Sequence, residues 1–200
     1  MKENRFYLSI GRHERYGTDT PIEREDMLCA YLSGCVLKSV LPKCETVYHS
    51  QLARAVTTAR FEALGLDCSH ILEIEALNED SPAFTIRKFI NNLLQNTGDD
   101  VNYYHFVTHL PVVEKLGLPF LSAGEICLLV ADTKEEMLKE NFELHIIKRP
   151  AIPLELWQEL ELTVGDLAFL SEDEIYQKLV NKKRKPSDRN PVPFRPNRFS

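Results

Sequence analysis

Three short segments of this chain hold the residue types that phosphoryl chemistry needs. Arg12-His13 closes the apolar run Phe6-Tyr7-Leu8-Ser9-Ile10-Gly11. The stretch Ser50-Gln51-Leu52-Ala53-Arg54-Ala55-Val56-Thr57-Thr58-Ala59 follows a second short run, and His109-Leu110-Pro111 closes a third, Tyr104-His105-Phe106-Val107-Thr108. An imidazole can take up a phosphoryl group covalently and divide one difficult displacement into two, which makes His13 the candidate nucleophile. A guanidinium stays charged at working pH and donates a planar fork matched to phosphate, so Arg12 and Arg54 are candidate clamps. His109 is a further candidate donor to the transferred group, and Ser50 a helper beside it. Singly, each arginine reads as an ordinary surface ion-pair residue; the joint pattern points to an anion pocket.

Each segment lies where a strand hands over to a helix. In an open α/β sheet such handovers gather outside the carboxyl ends of the strands, so residues far apart in sequence can share one pocket. The spacing predicts a strand to Gly11, then a helix over Glu23–Val40 begun by Pro21 and early acids. A short strand follows over Thr46–His49, and a helix over Ala53–Leu64 stopped by Gly65. Ile71–Leu77 alternates apolar and acidic residues and reads as extended. Ser81-Pro82 starts a helix over Ala83–Leu94, and Val101–Thr108 is the next strand. A short helix from Pro111 to Leu116 and two strands, Ala123–Val130 and Phe142–Ile147, complete the pattern. Alternating strands and helices imply an α/β protein with a mostly parallel sheet.

Beyond Arg149-Pro150 the pattern changes. The expected organisation is a principal domain over 1–150, a helical extension over 151–185 and a Pro-rich basic tail over 186–200, expected to be disordered. Helices are expected over Leu154–Leu162, packed through Trp157, and over Glu172–Asn181, with Ser171 as cap and Glu174 in capping-box register. A hydrophobic share of 44% against 27% charged residues is an ordinary globular balance, enough for a sizeable core. No apolar run approaches the roughly 18 residues of a spanning helix, so no membrane association is expected. The five cysteines are odd in number and form no C-x-x-C pair, which points to reduced thiols in a cytoplasmic protein.

Net charge is −6, yet the chain from Lys178 onward is strongly basic, so local cations rather than the overall field must attract an anion. The short basic run Lys182–Lys185 lacks interleaved aromatics, and nucleic-acid binding is not expected. His105 and His109 have H-x-x-x-H spacing without an obvious third ligand, so no metal and no cofactor are expected; a structural role suits His105 better. His49 reads as a strand histidine near the pocket. Ser50 sits in no G-x-S-x-G elbow, which argues against serine hydrolase chemistry.

These segments resemble the histidine phosphatase superfamily, and within it the small SixA-type phosphohistidine phosphatases. The resemblance rests on Leu8–His13, the S-x-x-x-R-A-x-x-T-A pattern of residues 50–59, T-H-L-P-V-V within Phe106–Leu116, and Ser122–Asp132, and covers about residues 5–150. It implies a three-layer αβα, phosphoglycerate mutase-like fold. It also implies a phosphohistidine intermediate on His13 and a phosphate pocket of Arg12, Arg54 and His109 that needs no metal. The implied substrate is a phosphorylated protein, most plausibly at phosphohistidine. The alternatives are a small phosphomonoester substrate, or a catalytically weakened relative that binds phosphorylated partners or scaffolds. Larger members use a carboxylic acid to protonate the leaving oxygen, a role for which Glu79 is the first candidate here, then Asp80, Glu14 and Asp19. One position departs from the family pattern: Glu14 stands where a small residue is usual. A carboxylate there would repel the ligand unless its side chain turns away, so Glu14 is expected to point outward, alter substrate choice or weaken turnover.

Overall fold

The computed structural model describes residues 5–16, 21–96, 98 and 101–183. Two compact units are present, Met1–Pro153 and Leu154–Ser200. The expected tail and Asp19 lie outside the described residues.

Among the described residues the first unit is built on six strands: β1 (Phe6–Arg12), β2 (Val47–His49), β3 (Ile71–Glu73), β4 (Tyr103–Thr108), β5 (Ile126–Ala131) and β6 (Glu143–Ile147). They form one sheet in the order β3-β2-β4-β1-β5-β6. The four strands from β3 to β1 run parallel, while β5 and β6 are antiparallel to their neighbours. Five helices flank this sheet: α1 (Arg24–Val40), α2 (Ala53–Leu66), α3 (Ala83–Asn96), α4 (Leu110–Lys115) and α5 (Lys134–Leu138).

Period-two alternation along the strands divides the core into two layers. Phe6, Leu8 and Ile10 of β1 join Tyr104, Phe106, Cys127 and Leu129 and meet Ile86, Ile90 and Leu94 of α3, Val112 and Val113 of α4 and Met137 of α5. Tyr7, Val47, Tyr103, Val107, Leu128 and Val130 face the other way, onto Leu37 of α1 and Ala55, Ala59 and Ala63 of α2. The result is the expected three-layer αβα arrangement with a mostly parallel sheet.

Gly65 does not stop α2. The helix runs on to Leu66 and ends at Asp67, which adopts the left-handed conformation at φ 58. Gly65 serves instead to let two helices touch: a Cβ on it would lie 2.2 Å from the Tyr31 carbonyl oxygen of α1, and one on Gly34 of α1 would lie 2.1 Å from the Glu62 carbonyl oxygen of α2. The alternating stretch Ile71–Leu77 also divides, into three residues of β3 and a 3-10 turn over Glu75–Leu77. That turn buries Ala76 and Leu77, which a continuous strand would have placed on opposite faces.

The second unit holds α6 (Leu154–Glu159), α7 (Val164–Leu167) and α8 (Glu172–Lys183). Thr163 and Asp166 form a reciprocal capping box at α7. At the start of α8, Glu174 accepts from the Ser171 amide at 2.8 Å, and the Glu174 amide donates to Ser171 Oγ at 3.3 Å. Lys178 and Lys182 of α8 reach back to the Leu160 carbonyl at 3.2 Å and to Glu159 at 2.8 Å.

The glycine contact makes a distinct prediction. Helix propensity alone would make Gly34→Ala stabilising by about 1 kcal/mol. The collision with the α2 backbone reverses the sign, and the substitution should cost about 3 kcal/mol, read as a lowered urea midpoint at unchanged m-value. A variant as stable as the parent would show that the helices do not cross at this distance.

Candidate active site

The pairing of β1 with β4 sets Arg12 opposite Thr108. The next amide, His13 N–H, donates to the Thr108 carbonyl at 2.9 Å, so the chain leaves both strands side by side. His13 and His109 therefore lie together, ring centroids 5.0 Å apart and tilted by 58°. Ser50 follows β2 and its amide donates to the Val107 carbonyl at 3.2 Å. Its hydroxyl meets His109 Nε2 at 2.5 Å. Arg54, on the first turn of α2, donates from Nε to His13 Nε2 at 2.9 Å. Three sequence-distant segments thus supply one cluster.

His13 is oriented by the main chain. Its Nδ1–H donates to the Glu14 carbonyl at 2.6 Å, which leaves the Nε2 lone pair facing Arg54. Arg12 donates from Nη1 to the Leu121 carbonyl at 2.9 Å, while its buried Nε has no hydrogen-bond partner. His109 Nδ1 is likewise buried and unpartnered. A buried polar group left in this state costs roughly 1–3 kcal/mol, a cost that an incoming oxyanion can offset.

Glu79 reaches the cluster through Arg54, accepting from Nη2 at 2.7 Å with its own side chain half exposed. Its loop is held by Lys115, whose ammonium donates to the Glu79 and Ser81 carbonyls at 2.7 and 2.9 Å. Asp80 lines a neighbouring cleft with Gln51 and Asn78. Tyr16, which the sequence did not single out, lays its ring 4.7 Å from the Arg54 guanidinium carbon and 5.8 Å from the His13 ring. His49 is buried beside Ser50 and binds the Ser50 carbonyl at 2.8 Å. His105 lies apart from the cluster, fully buried between Ser9 Oγ at 2.6 Å and Glu62 at 2.7 Å.

Glu14 neither points outward nor contacts the cluster with its carboxylate. The side chain is fully buried and accepts from Arg149 Nε at 2.9 Å. Space for it exists because residue 124 is glycine at φ 75; a Cβ there would fall 2.4 Å from both carboxylate oxygens. Burial, reinforced by Asp26 and Glu62, outweighs Arg149 and pushes the Glu14 carboxyl up to about 8.

The same physics acts in the opposite direction on the imidazoles. Burial, with Arg54 and Arg12 adding to it, lowers His13 to about 4. Burial, with His13, Arg54 and Arg12 adding to it, lowers His109 to about 3. Both rings are neutral near pH 7, and the His13 lone pair is free of a proton.

No protein-family model and no curated protein sequence matches the chain. Solved structures do. The SixA protein histidine phosphatase complexed with tungstate superposes with a TM-score of 0.61 at 18% identity, over 72% of this chain and 97% of that one. The chain has the fold of the histidine phosphatases. A protein from Nakamurella multipartitia assigned as a SixA phosphohistidine phosphatase gives a TM-score of 0.56 at 16% identity, over 74% of this chain and 98% of the other. A mycobacterial glucosyl-3-phosphoglycerate phosphatase gives 0.50 at 12% identity, over 74% and 100%. The histidine phosphatase fold is thus spanned almost whole, with part of this chain left over.

The lowered histidines bear on both titration and stability. The unfolded chain takes up these protons near pH 6.5, before the folded chain does. Each ring therefore contributes stability that is complete above pH 6.5 and is lost as the pH falls toward about 4 for His13 and about 3 for His109. In an NMR titration of the anion-free protein, the His13 ring should show its midpoint at about 4; a midpoint near the ordinary histidine value would contradict the burial described.

Proposed function

We propose that the protein is a phosphatase of the histidine phosphatase superfamily that works through a phosphorylated His13, with protein phosphohistidine as its substrate. The single observation that carries this reading is the state of His13: one ring nitrogen is donated to the Glu14 carbonyl, and the other presents an unprotonated lone pair among Arg54, Arg12 and His109. The fold shared with phosphohistidine phosphatases supports it.

In the first step His13 Nε2 attacks phosphorus, a P–N bond forms, and the bond to the leaving group breaks with its electron pair. Arg54 Nε gives up its hydrogen bond to Nε2 as the anion enters and turns, with Arg12 and His109, to the equatorial oxygens. Such groups act by holding charge that redistributes in the transition state. In the second step water attacks the phosphorus, the P–Nε2 bond breaks, the electron pair returns to His13, and inorganic phosphate leaves with the water proton passing to solvent. No metal or cofactor enters either step.

The leaving group decides the substrate. An imidazole departs as a neutral ring once it takes a proton from water, whereas an alkoxide needs an acid in place. Glu79 meets the cluster through Arg54 and is half exposed, at the rim from which a leaving group would depart. A phosphoester substrate with Glu79 as acid is therefore the second reading.

Purified protein should release phosphate from a phosphohistidine peptide, and His13→Ala should lower that release by at least about 10³-fold. Binding of the peptide without release would identify a non-catalytic phosphoprotein-binding relative instead. Arg54→Ala should cost roughly 10²–10³-fold as an oxyanion donor is lost. Glu79→Gln separates the two substrates: turnover of a phosphoester should fall by roughly 10²-fold if Glu79 is the acid. Turnover of phosphohistidine should stay close to the parent value.

A further inference from the structure

Arg149 follows β6 and, among the described residues, makes no hydrogen bond to Arg12, His13, Arg54 or His109. It nevertheless holds the loop that carries His13, from two sides. Its Nε donates to Glu14 Oε2 at 2.9 Å, and its Nη2 donates to Asp26. Asp26 is fully buried near the start of α1, and in turn accepts from the Arg15 amide at 3.1 Å and from the Arg15 guanidinium at 2.8 and 2.7 Å. Residues 14 and 15 are therefore both tied to one guanidinium, the first directly and the second through Asp26.

Between these ties lies the main-chain group that orients the candidate nucleophile. The Glu14 carbonyl accepts from His13 Nδ1, and the Glu14 amide donates to Thr58 Oγ1 at 3.1 Å. Thr58 Oγ1 donates to the Arg54 carbonyl at 2.8 Å, so the same residue also links His13 to the turn of α2 that presents Arg54. Gly124 closes the loop from below, its amide donating to the carbonyls of Arg12 at 3.1 Å and His13 at 3.3 Å, and its missing Cβ makes room for the Glu14 carboxylate.

We propose that Arg149 is a positioning residue for the reaction at His13: by holding Glu14 and, through Asp26, Arg15, it fixes the carbonyl that locks the His13 ring with its lone pair on Nε2. The inference rests on the reading of His13 as nucleophile. Glu14 is then a strut of the site, and replacing it by Gly removes the strut and lowers turnover. An imidazole freed from the carbonyl exchanges between two tautomers and rotates, and each departure from the attacking geometry lowers the rate while the guanidiniums still bind the anion.

Arg149→Met and Arg149→Lys test this. Methionine keeps much of the volume and removes all donors; lysine keeps the charge on one ammonium that cannot span both carboxylates. Arg149→Met should lower kcat by about 10-fold with KM within about twofold, since Arg12, Arg54 and His109 are untouched. In the same protein the His13 ring ¹⁵N shifts should move from one fixed tautomer toward an average of two. Arg149→Lys should fall between parent and Arg149→Met in both readouts. A role confined to stability would lower the melting temperature and leave kcat and the ring shifts at parental values in the folded protein, and that result overturns the proposal. If Arg149→Met does not fold, Arg149→Lys decides by the same criteria. The ring shifts need no turnover, so a protein that releases no phosphate overturns the phosphatase reading alone and leaves the role of Arg149 still decided.

Discussion

The parallel pairing of β1 with β4 is the constraint on which the candidate site depends. Neighbouring strands lie about 4.8 Å apart, so residues that leave two paired strands at the same level emerge side by side. Arg12 opposite Thr108 fixes that level. The two imidazoles then follow at a centroid separation of 5.0 Å, close to the strand spacing itself. A slip of one residue in either strand would turn His13 or His109 to the opposite face of the sheet. The buried alternation of Phe6, Leu8 and Ile10 against Tyr7 prevents this, because the same slip would exchange the aliphatic layer for Ser9 and Gly11. Register of the core and register of the chemistry are one property.

Neutral imidazoles beside guanidiniums form a polarised arrangement. Arg54 and Arg12 disfavour a proton on His13, and burial disfavours it more strongly. A phosphate dianion in the cluster would bring opposite charge to the arginines and give the unpartnered Arg12 Nε and His109 Nδ1 an acceptor. The hydrogen bond from Arg54 Nε to His13 Nε2 occupies that ring nitrogen's lone pair, so in the proposed reaction anion binding and release of the nucleophile would be coupled through one guanidinium. Glu79 accepts from Nη2 of the same guanidinium and gives it a second anchor.

The strand-to-helix handovers were legible because local sequence determines them: apolar runs end at polar dipeptides, and Pro111 or early acids mark the helix starts that follow. Ser50, Arg54 and His109 could be placed at one sheet edge by that logic alone. Gly65 reads as a stop because a glycine at a helix end and a glycine at a helix crossing have the same sequence signal; only the α1 backbone distinguishes them. The short helices α5 and α7 span less than two turns and carry too few residues to establish a period. Arg149, Asp26 and Gly124 lay beyond reach for a different reason. Each gains its role from a partner that is distant in sequence, and none sits in a local pattern that points to that partner. Tyr16 is similar, since its contact with Arg54 joins two residues distant in sequence.

Glu14 illustrates how such distant partners change the sign of an argument. From sequence, a carboxylate directly after Arg12-His13 adds negative charge beside an anion site. In the structure it belongs to a quartet with Asp26, Arg15 and Arg149. With both carboxylates ionised, the quartet carries no net charge. With Glu14 protonated, as its raised value of about 8 favours near neutral pH, the quartet is singly positive. Neither state adds net negative charge near Arg12 and Arg54. The carboxylate fills the space that a side chain at position 124 would need, and that position is glycine. Glu14 is thus a buried part of the packing between Arg149 and Gly124, and its carboxyl adds no net negative charge to the quartet it joins.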